Sequence, residues 1–487
     1  MAHAAIIDWP ELASDDLPLA LWDADAIAEA TGGIARGKFQ VSGVEIDSRE
    51  VGEGDLFVAL KGAAMDGHSF VEGALKQGAA GVLVSQPVDG PHVLVDDTQA
   101  ALEALGAAAR ARADMRVVGV TGSVGKTSTK EALFAALDRA SRGAAHASVK
   151  SYNNHTGVPL SLARTPARSQ YGVYEMGMNH AGEIAALTAQ VRPHVALITA
   201  IAPAHIENLG SEENIARAKA EIFQGLEPGG VAIVPADSPH VGLLAEQARA
   251  RGAKVVTFGL EAAADIKLLE SVTMRDGGSL LTVQVHDRRL CFSIGNPGRH
   301  WVSNALAVIA TCDALGADLG AAGLALAELE GLPGRGQRHV LEVEGGEVLL
   351  IDESYNANPA SMRAALAQLG AVDAERRIAV LGAMGELGNH SARFHAELVE
   401  PILGAQVDEA ILVGEAMRPL AERLGTAGGD DLGKPPRFTH CDDASAAQAV
   451  LGRIGLARRD AVLVKGSNSV GLAALVAALV DAPADGD

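Results

Sequence analysis

The run Val117–Lys130, VVGVTGSVGKTSTK, constrains this chain more than any other segment. Val117, Val118 and Val120 make a short apolar stretch suited to a buried strand, and a glycine loop and a helix start follow it. Gly122 and Gly125 let the backbone turn with its N–H groups facing inward, with Ser123 and Ser128 in the same passage. Lys126 adds a point charge, and Thr127 offers a hydroxyl for a magnesium ion at a helix N-terminus, where negative charge is favoured. Val120 occupies the position of the first glycine in the common phosphate-loop pattern. A tight strand-to-helix turn carrying a stray lysine is the alternative, but GKTS after such a strand favours polyphosphate. The chain is expected to bind a nucleotide.

A length of 487 residues corresponds to roughly three domains. With 48% hydrophobic but only 3% aromatic residues, the interior is built from Ala, Val and Leu, which suits α/β layers better than a β-sandwich. The net charge of −21 argues against a nucleic-acid partner, whose phosphates need clustered Lys and Arg. It leaves room for an anionic small substrate in a local cationic cleft. Cys291, Cys312 and Cys441 have neither metal-site nor CxxC spacing, which fits a reducing compartment. The opening MAHAAIIDWPELASDD lacks a basic region and a long apolar core, and no apolar run reaches the length of a membrane span. A cytoplasmic protein without a membrane span is expected, as a monomer.

Three blocks differ in pattern. Up to about Arg112, short strands (Asp55–Leu60, Gly81–Ser85) alternate with helical stretches such as Ala100–Arg112. The second block opens with the phosphate-loop strand and continues through strands at Tyr171–Met176, His194–Ile201, Gly230–Pro235 and Lys254–Phe258. Helical patterns between them predict a mainly parallel sheet covered on both faces, with ligands at the carboxyl ends of its strands. Residues Asp265–Ser293 read as hairpins, and a helix follows from His300 to Leu315. The third block begins at the breaker cluster Leu332-Pro333-Gly334, a hinge candidate. Strands at Val348–Asp352, Arg377–Leu381, Glu409–Val413 and Ala461–Val464 make it a second α/β unit, with a loop at Gly425–Pro436. Two hinged α/β layers imply a cleft that closes over its ligand.

Candidate functional residues cluster at strand ends. Glu175 ends a strand of the phosphate-loop sheet, where a carboxylate can hold magnesium that bridges nucleotide phosphates. His205 ends another apolar strand; a lone histidine is usually structural, but this one shares a rim with Glu175. Lys219, on a helix that Ser211 caps, would by itself be read as a solvated charge. Asn153, Asn154 and His155 could orient a polar substrate or merely cap a loop. Asn296, His300 and Asn304 could hold an adenine edge or a phosphate, with helix capping as the equal alternative. Arg335 stands at the hinge, where a mobile arginine can neutralise charge on a transferring phosphoryl group. Asp352, Tyr355, Asn356 and Asn358 follow a strand of the third block, and Lys465 with Gly466 ends another.

The order and wording of these segments resemble the Mur ligase family, ATP-dependent amide-bond-forming enzymes of peptidoglycan precursor synthesis, over nearly the whole chain. Ile46-Asp47-Ser48-Arg49, GDLFVALKG and DGHSF are similar to its uridine-nucleotide-binding domain, and SYNANPASM looks like the branch of the family that adds D-alanyl-D-alanine. The resemblance implies an α/β fold of three domains: an N-terminal UDP-substrate domain (1–113), a central ATP-binding domain with a mostly parallel sheet (114–331) and a C-terminal Rossmann-like domain (332–487). It implies ATP and two magnesium ions as cofactors. Lys126, Thr127 and Glu175 would serve ATP and the first ion, His205 a second ion, and Lys219 would be carbamylated into an oxygen ligand. Asn304 and Asp352 would contact the nucleotide and Arg335 its phosphates, while Ser48, Arg49 and Lys61 would face the uridine diphosphate. Ala383, Asn468 and Pro235-Ala236-Asp237 depart from the family's usual residues.

The implied reaction activates the carboxylate of UDP-N-acetylmuramoyl-tripeptide as an acyl phosphate, which the amine of D-Ala-D-Ala then attacks. Closure of the domains would bring in Arg335 and exclude water. The alternatives are a sister ligase that adds diaminopimelate or lysine, a folylpolyglutamate-type ligase, and a nucleotide switch protein. The last would need a base-reading motif such as NKxD, which the sequence lacks.

Overall fold

The structure, a computed structural model, describes residues 20–62, 65–204, 206–261, 263–274, 277–426 and 435–481. The chain divides into two compact units: one runs to Asp114 and includes Pro159–Arg168, and the other holds the remaining residues.

In the first unit, the strands Gly43–Glu45, Asp55–Val58, Gly81–Val84 and His92–Leu94 pair in parallel, and Ile34–Arg36 joins antiparallel at the edge. Phe57, Val82 and Val84 anchor its core. The helix Thr98–Arg112 starts two residues earlier than its apolar pattern predicts. Asp97 explains the early start, because its carboxylate accepts from the N–H groups of Gln99 and Ala100. Pro159–Arg168 is fastened into this unit by polar side chains: Arg164 donates to the Val44 carbonyl and the Glu45 carboxylate, and Trp22 Nε1 donates to the Ala163 carbonyl.

Two sheets organise the second unit among the described residues. The larger has nine strands, in the order Arg288–Ile294, Ser279–Val285, Ile266–Thr273, Lys254–Gly259, Val231–Pro235, Val195–Ile198, Arg116–Thr121, Tyr171–Glu175 and Ala145–Ala147. Seven of these, from Ala145–Ala147 to Ile266–Thr273, pair in parallel, as the alternation of strands and helices predicts, and Ser279–Val285 and Arg288–Ile294 extend the sheet antiparallel. Register matters here. Glu175 lies opposite Val120, and Ile198 lies opposite Thr121. Three strands therefore end at one rim, from which the phosphate loop departs. The helices Lys126–Ser141 and Arg299–Leu315 bury Leu133, Leu137, Ala305, Leu306 and Ile309 against this sheet.

The smaller sheet orders its strands Gln337–Val343, Gly346–Glu353, Asp460–Lys465, Arg376–Gly382, Glu409–Val413 and Arg437–Cys441, with the first pair antiparallel and the rest parallel. Its two outer strands escape the sequence pattern because they are edge strands, which alternate polar and apolar residues instead of carrying a continuous apolar run. The predicted loop at Gly425–Pro436 overlaps the end of the helix Arg418–Thr426, and residues 427–434 lie outside the described residues. No helix among the described residues is long and apolar enough to cross a membrane.

Candidate active site

The strand Arg116–Thr121 delivers the chain into a loop whose glycines are required by both conformation and space. Gly122 has φ +155°, and a β-carbon there would stand 1.9 Å from Thr199 Oγ1; Gly125 has φ +82°. Thr199 braces the loop by donating to the Val124 carbonyl at 2.6 Å, and Ser123 Oγ donates to the Ala202 carbonyl at 2.9 Å. The Ser123 side chain is thus a brace beneath the loop, with its hydroxyl already engaged. Gly125 then starts the helix Lys126–Ser141 with no side chain capping it. Uncapped first-turn N–H groups at a helix N-terminus make an anion site. Lys126 curls over this end, its Nζ 2.9 Å from the Gly122 carbonyl.

Beside the loop, Thr127 Oγ1 donates to Glu175 Oε2 at 2.8 Å, and Asn153 Nδ2 donates to Glu175 Oε1 at 2.7 Å. Glu175 is buried. A hydroxyl next to a carboxylate suits magnesium, a hard ion that takes few protein oxygens and completes its shell with phosphate and water. Among the described residues no group of three or more His, Cys, Asp or Glu side chains gathers around one point. Asn154 Oδ1 accepts from the N–H groups of Thr156 and Gly157, where the next helix starts.

The smaller sheet contributes from across the cavity. Asp352 is buried, and its carboxylate accepts from Gly334 N at 2.8 Å, Ser354 N at 3.0 Å and Ser354 Oγ at 2.6 Å. These bonds fold the Leu332–Gly336 segment into a turn that presents Arg335. The guanidinium stacks on the Tyr355 ring at 3.9 Å and donates to Ser151 Oγ at 3.1 Å. Lys465 Nζ is engaged by Glu353 Oε2 and the Asn356 carbonyl, both at 3.0 Å. Asn358 caps the helix Pro359–Gly370 in a reciprocal pair with Ser361.

One cavity of about 520 Å³ joins these groups. It is lined by Ser123, Gly125, Lys126, Thr127, Ser128, Asn153, Asn154 and Glu175 from one side, and by Arg335, Tyr355, Asn356, Asn358 and Lys465 from the other, with His300 and Asn304 between them. Asn296 is buried and donates to the Leu329 carbonyl. It does not cap the following helix, which begins at Gly298 without a side-chain cap. Ser48, Arg49 and Lys61 belong to the first unit, where Arg49 pairs with Asp47. His205 lies outside the described residues.

Burial sets the electrostatics. It lowers the Lys126 ammonium below the usual lysine range, opposed by Glu175 and reinforced by Arg335. It lowers Lys219 much further, and the nearby Lys126 charge adds to the effect. His300 is held below the ordinary histidine value by burial, with Glu353 opposing and Lys465 assisting. Of the departures noted in the sequence, Asp237 has a structural use, accepting from the backbone N–H groups of Leu260 and Glu261. Ala383 uses only its backbone, donating to the Val413 carbonyl and accepting from Ser467 N, and nothing in the structure explains the alanine.

Sequence reading passed over Ser151, Thr199, Lys130 and Glu353. Lys130 carried a signal, since it follows Lys126 by one helical turn and thus faces the same side. The others depend on contacts between residues 75 to 184 positions apart, which no local pattern encodes.

Comparison with known proteins gives a consistent result. Residues 120–312 match the Mur ligase middle domain, 334–468 the Mur ligase glutamate ligase domain, and 40–139 the catalytic domain of the Mur ligase family. The UDP-N-acetylmuramoyl-tripeptide–D-alanyl-D-alanine ligase of Escherichia coli K12 is 36% identical over 439 residues, covering 90% of this chain and 93% of its own. A crystal structure of MurF from Acinetobacter baumannii superposes with a TM-score of 0.80 at 30% identity, covering 95% of this chain and 99% of its own. The MurF ligase of Thermotoga maritima in complex with ADP superposes with a TM-score of 0.71 at 27% identity, covering 90% and 96%.

Proposed function

The chain belongs to the Mur ligase family, and from that premise we propose that it joins D-alanyl-D-alanine to UDP-N-acetylmuramoyl-tripeptide at the expense of ATP, through an acyl phosphate. It is an ATP-dependent ligase of peptidoglycan synthesis, as its relatives' names imply. The observation that carries the reading is the cavity in which a phosphate loop, a hydroxyl–carboxylate pair and an arginine from a second sheet face one another.

A carboxylate resists amines because oxide is its leaving group. Its oxygen attacks the γ-phosphorus, the bond from that phosphorus to the β–γ bridging oxygen breaks, and ADP leaves. The product is an acyl phosphate, whose leaving group is phosphate. The amine of D-Ala-D-Ala then bonds to the acyl carbon, the C–O bond to phosphate breaks, and the amine protons pass to phosphate and solvent. This chemistry asks the protein for positioning and charge more than for covalent help. Uncapped N–H groups of the helix Lys126–Ser141 and the Lys126 ammonium hold the phosphates, while Arg335 meets the charge that builds on the transferring group. His300, Asn304, Tyr355 and Asn356 line the rest of the cavity, with Asn296 supporting the adenine side. Asn153, Asn154, Asn358 and Lys465 orient the peptide partners, and Ser48, Arg49 and Lys61 bind the uridine diphosphate. Where Asp352 is concerned, the bonds to Gly334 and Ser354 support a role in holding Arg335 rather than in touching nucleotide.

Thr127 and Glu175 would hold magnesium, which when bound supplies further positive charge to the phosphate oxygens. A second ion at His205 and carbamylation of Lys219 belong to the same proposal. Burial and the Lys126 charge favour an uncharged Lys219 amine, the form that reacts with carbon dioxide. The three-domain division at 113/114 and 331/332, a cytoplasmic location and a monomeric state complete the reading. Incubation with ATP, D-Ala-D-Ala and either the diaminopimelate- or the lysine-containing tripeptide, with product masses read by liquid chromatography, tests it. A pentapeptide product is expected with one or both; no tripeptide-dependent ADP release with either would refute it.

A further inference from the structure

Where the phosphate loop meets the Leu332–Gly336 turn, the side chains form one directed series of donors. Arg335 Nη2 donates to Ser151 Oγ at 3.1 Å. Thr127 spends its single hydroxyl proton on Glu175 Oε2 at 2.8 Å. In the remaining contact, Ser151 Oγ to Thr127 Oγ1 at 3.3 Å, Ser151 is then the donor, because Thr127 has no second proton to give. This is the longest link of the series. Guanidinium, two hydroxyls and carboxylate point the same way, so each bond polarises the next.

The segment that carries Ser151 is pinned in place. Lys130 is fully buried, and its Nζ donates to the carbonyls of Ser148 at 2.7 Å and Lys150 at 3.0 Å. Lys150 has φ +52°, a left-handed conformation that a residue with a side chain holds only when its surroundings enforce it. Ser148 extends the brace: its Oγ accepts from Glu175 N at 3.1 Å. The helix that starts the phosphate site thus also fixes the loop opposite Arg335.

We propose that Ser151 is a positioning residue for phosphoryl transfer, setting the Arg335 guanidinium against the Thr127–Glu175 pair, with Lys130 fixing the loop that carries it. This rests on the ligase reading above. Stacking on Tyr355 holds the plane of the guanidinium but leaves it free to turn and slide within that plane. The Ser151 hydroxyl removes that freedom and ties an arginine of one sheet to the metal-type pair of the other.

A double-mutant cycle tests the coupling. Single-turnover ADP formation on the tripeptide substrate at saturating ATP is measured for the wild type, Ser151→Ala, Arg335→Gln and the double variant. Ser151→Ala is expected to slow the step by about 10- to 100-fold, the loss that follows removal of one hydrogen bond to a charged group. In the Arg335→Gln background the same change is expected to cost less than about twofold. The KM for D-Ala-D-Ala stays unchanged, and Ser151→Thr, which restores the hydroxyl, recovers most of the rate. Ser151→Cys, which keeps the volume but is a poor acceptor, gives the alanine pattern should the alanine variant fold badly. Equal losses in both backgrounds, or no loss in either, would overturn the proposal. Wild-type ADP release that does not depend on tripeptide would instead sink the ligase reading and leave the geometry of Ser151 untouched.

Discussion

Replacing Asp352 by alanine separates a residue that touches nucleotide from one that holds another residue in place. The buried carboxylate accepts three hydrogen bonds, two on Oδ1 from Ser354 and one on Oδ2 from Gly334. Hydrogen bonds to a charged group contribute about 1.5–3 kcal/mol each. The two from Ser354 are local and partly replaced by water, so the net destabilisation of Asp352→Ala is about 3 kcal/mol. Asp352→Asn keeps one acceptor oxygen, turns the other into a donor facing a donor, and should cost about as much. The consequence for activity differs from that of a lost nucleotide contact. Without the Gly334 bond the turn relaxes, Arg335 leaves its place, and kcat falls by about 100-fold while the KM for ATP changes little. Urea denaturation followed by tryptophan fluorescence gives the first quantity, and coupled ADP release under saturating substrates gives the second. A variant with wild-type kcat and a KM for ATP raised tenfold or more would refute this assignment and restore Asp352 as a nucleotide contact.

Lys126→Ala should lower phosphoryl transfer by about 10²–10³-fold with the denaturation midpoint preserved or raised, because desolvation pushes the ammonium below its usual range and so makes its charge a cost to folding; ADP release at the wild-type rate would contradict this. Gly122→Ala should impair both folding and nucleotide binding, since its β-carbon would stand 1.9 Å from Thr199 Oγ1 at φ +155°; Thr199→Ser in the same chain leaves that oxygen in place and should not relieve it, as circular dichroism melts would report. Burial holds the His395 imidazole below its ordinary value of 6.5. As pH falls below 6.5 the unfolded chain takes up a proton that the folded chain refuses, so stability is lost toward acid and is fully present above that value. His395→Gln should flatten the slope of the denaturation midpoint between pH 7 and pH values below 6.5, and an unchanged slope would exclude His395 as its source.

Much of the architecture is legible in the residues themselves. Buried parallel strands carry unbroken apolar runs, such as Val195–Ile198 and the Ala461–Val464 stretch of Asp460–Lys465, and a chain that alternates them with helices has few ways to cover both faces of a sheet. The phosphate loop announces itself because its backbone needs glycine at fixed places and its charge is a single lysine. Edge strands such as Gln337–Val343 are less visible, since one face meets solvent and their pattern approaches that of a loop. The helix Thr98–Arg112 starts two residues ahead of its apolar pattern because a side chain, Asp97, caps it.

Local chemistry along the chain determined which segments are strands, where a polyphosphate is received and which residue types could act on it, because these follow from steric limits and spacing over a few neighbours. What only the tertiary structure decided is how those residues are spent. Where the Lys465 ammonium stands in the cavity is fixed by Glu353 and the Asn356 carbonyl, which both hold it. Asp352 was open to a nucleotide until Gly334 and Ser354 took its carboxylate. Ser151 was unremarkable until Arg335, 184 residues away, came to donate to it. Apart from the local Ser354, each partner lies well away in sequence: a buried polar group takes the nearest group that satisfies it, and folding alone chooses that neighbour.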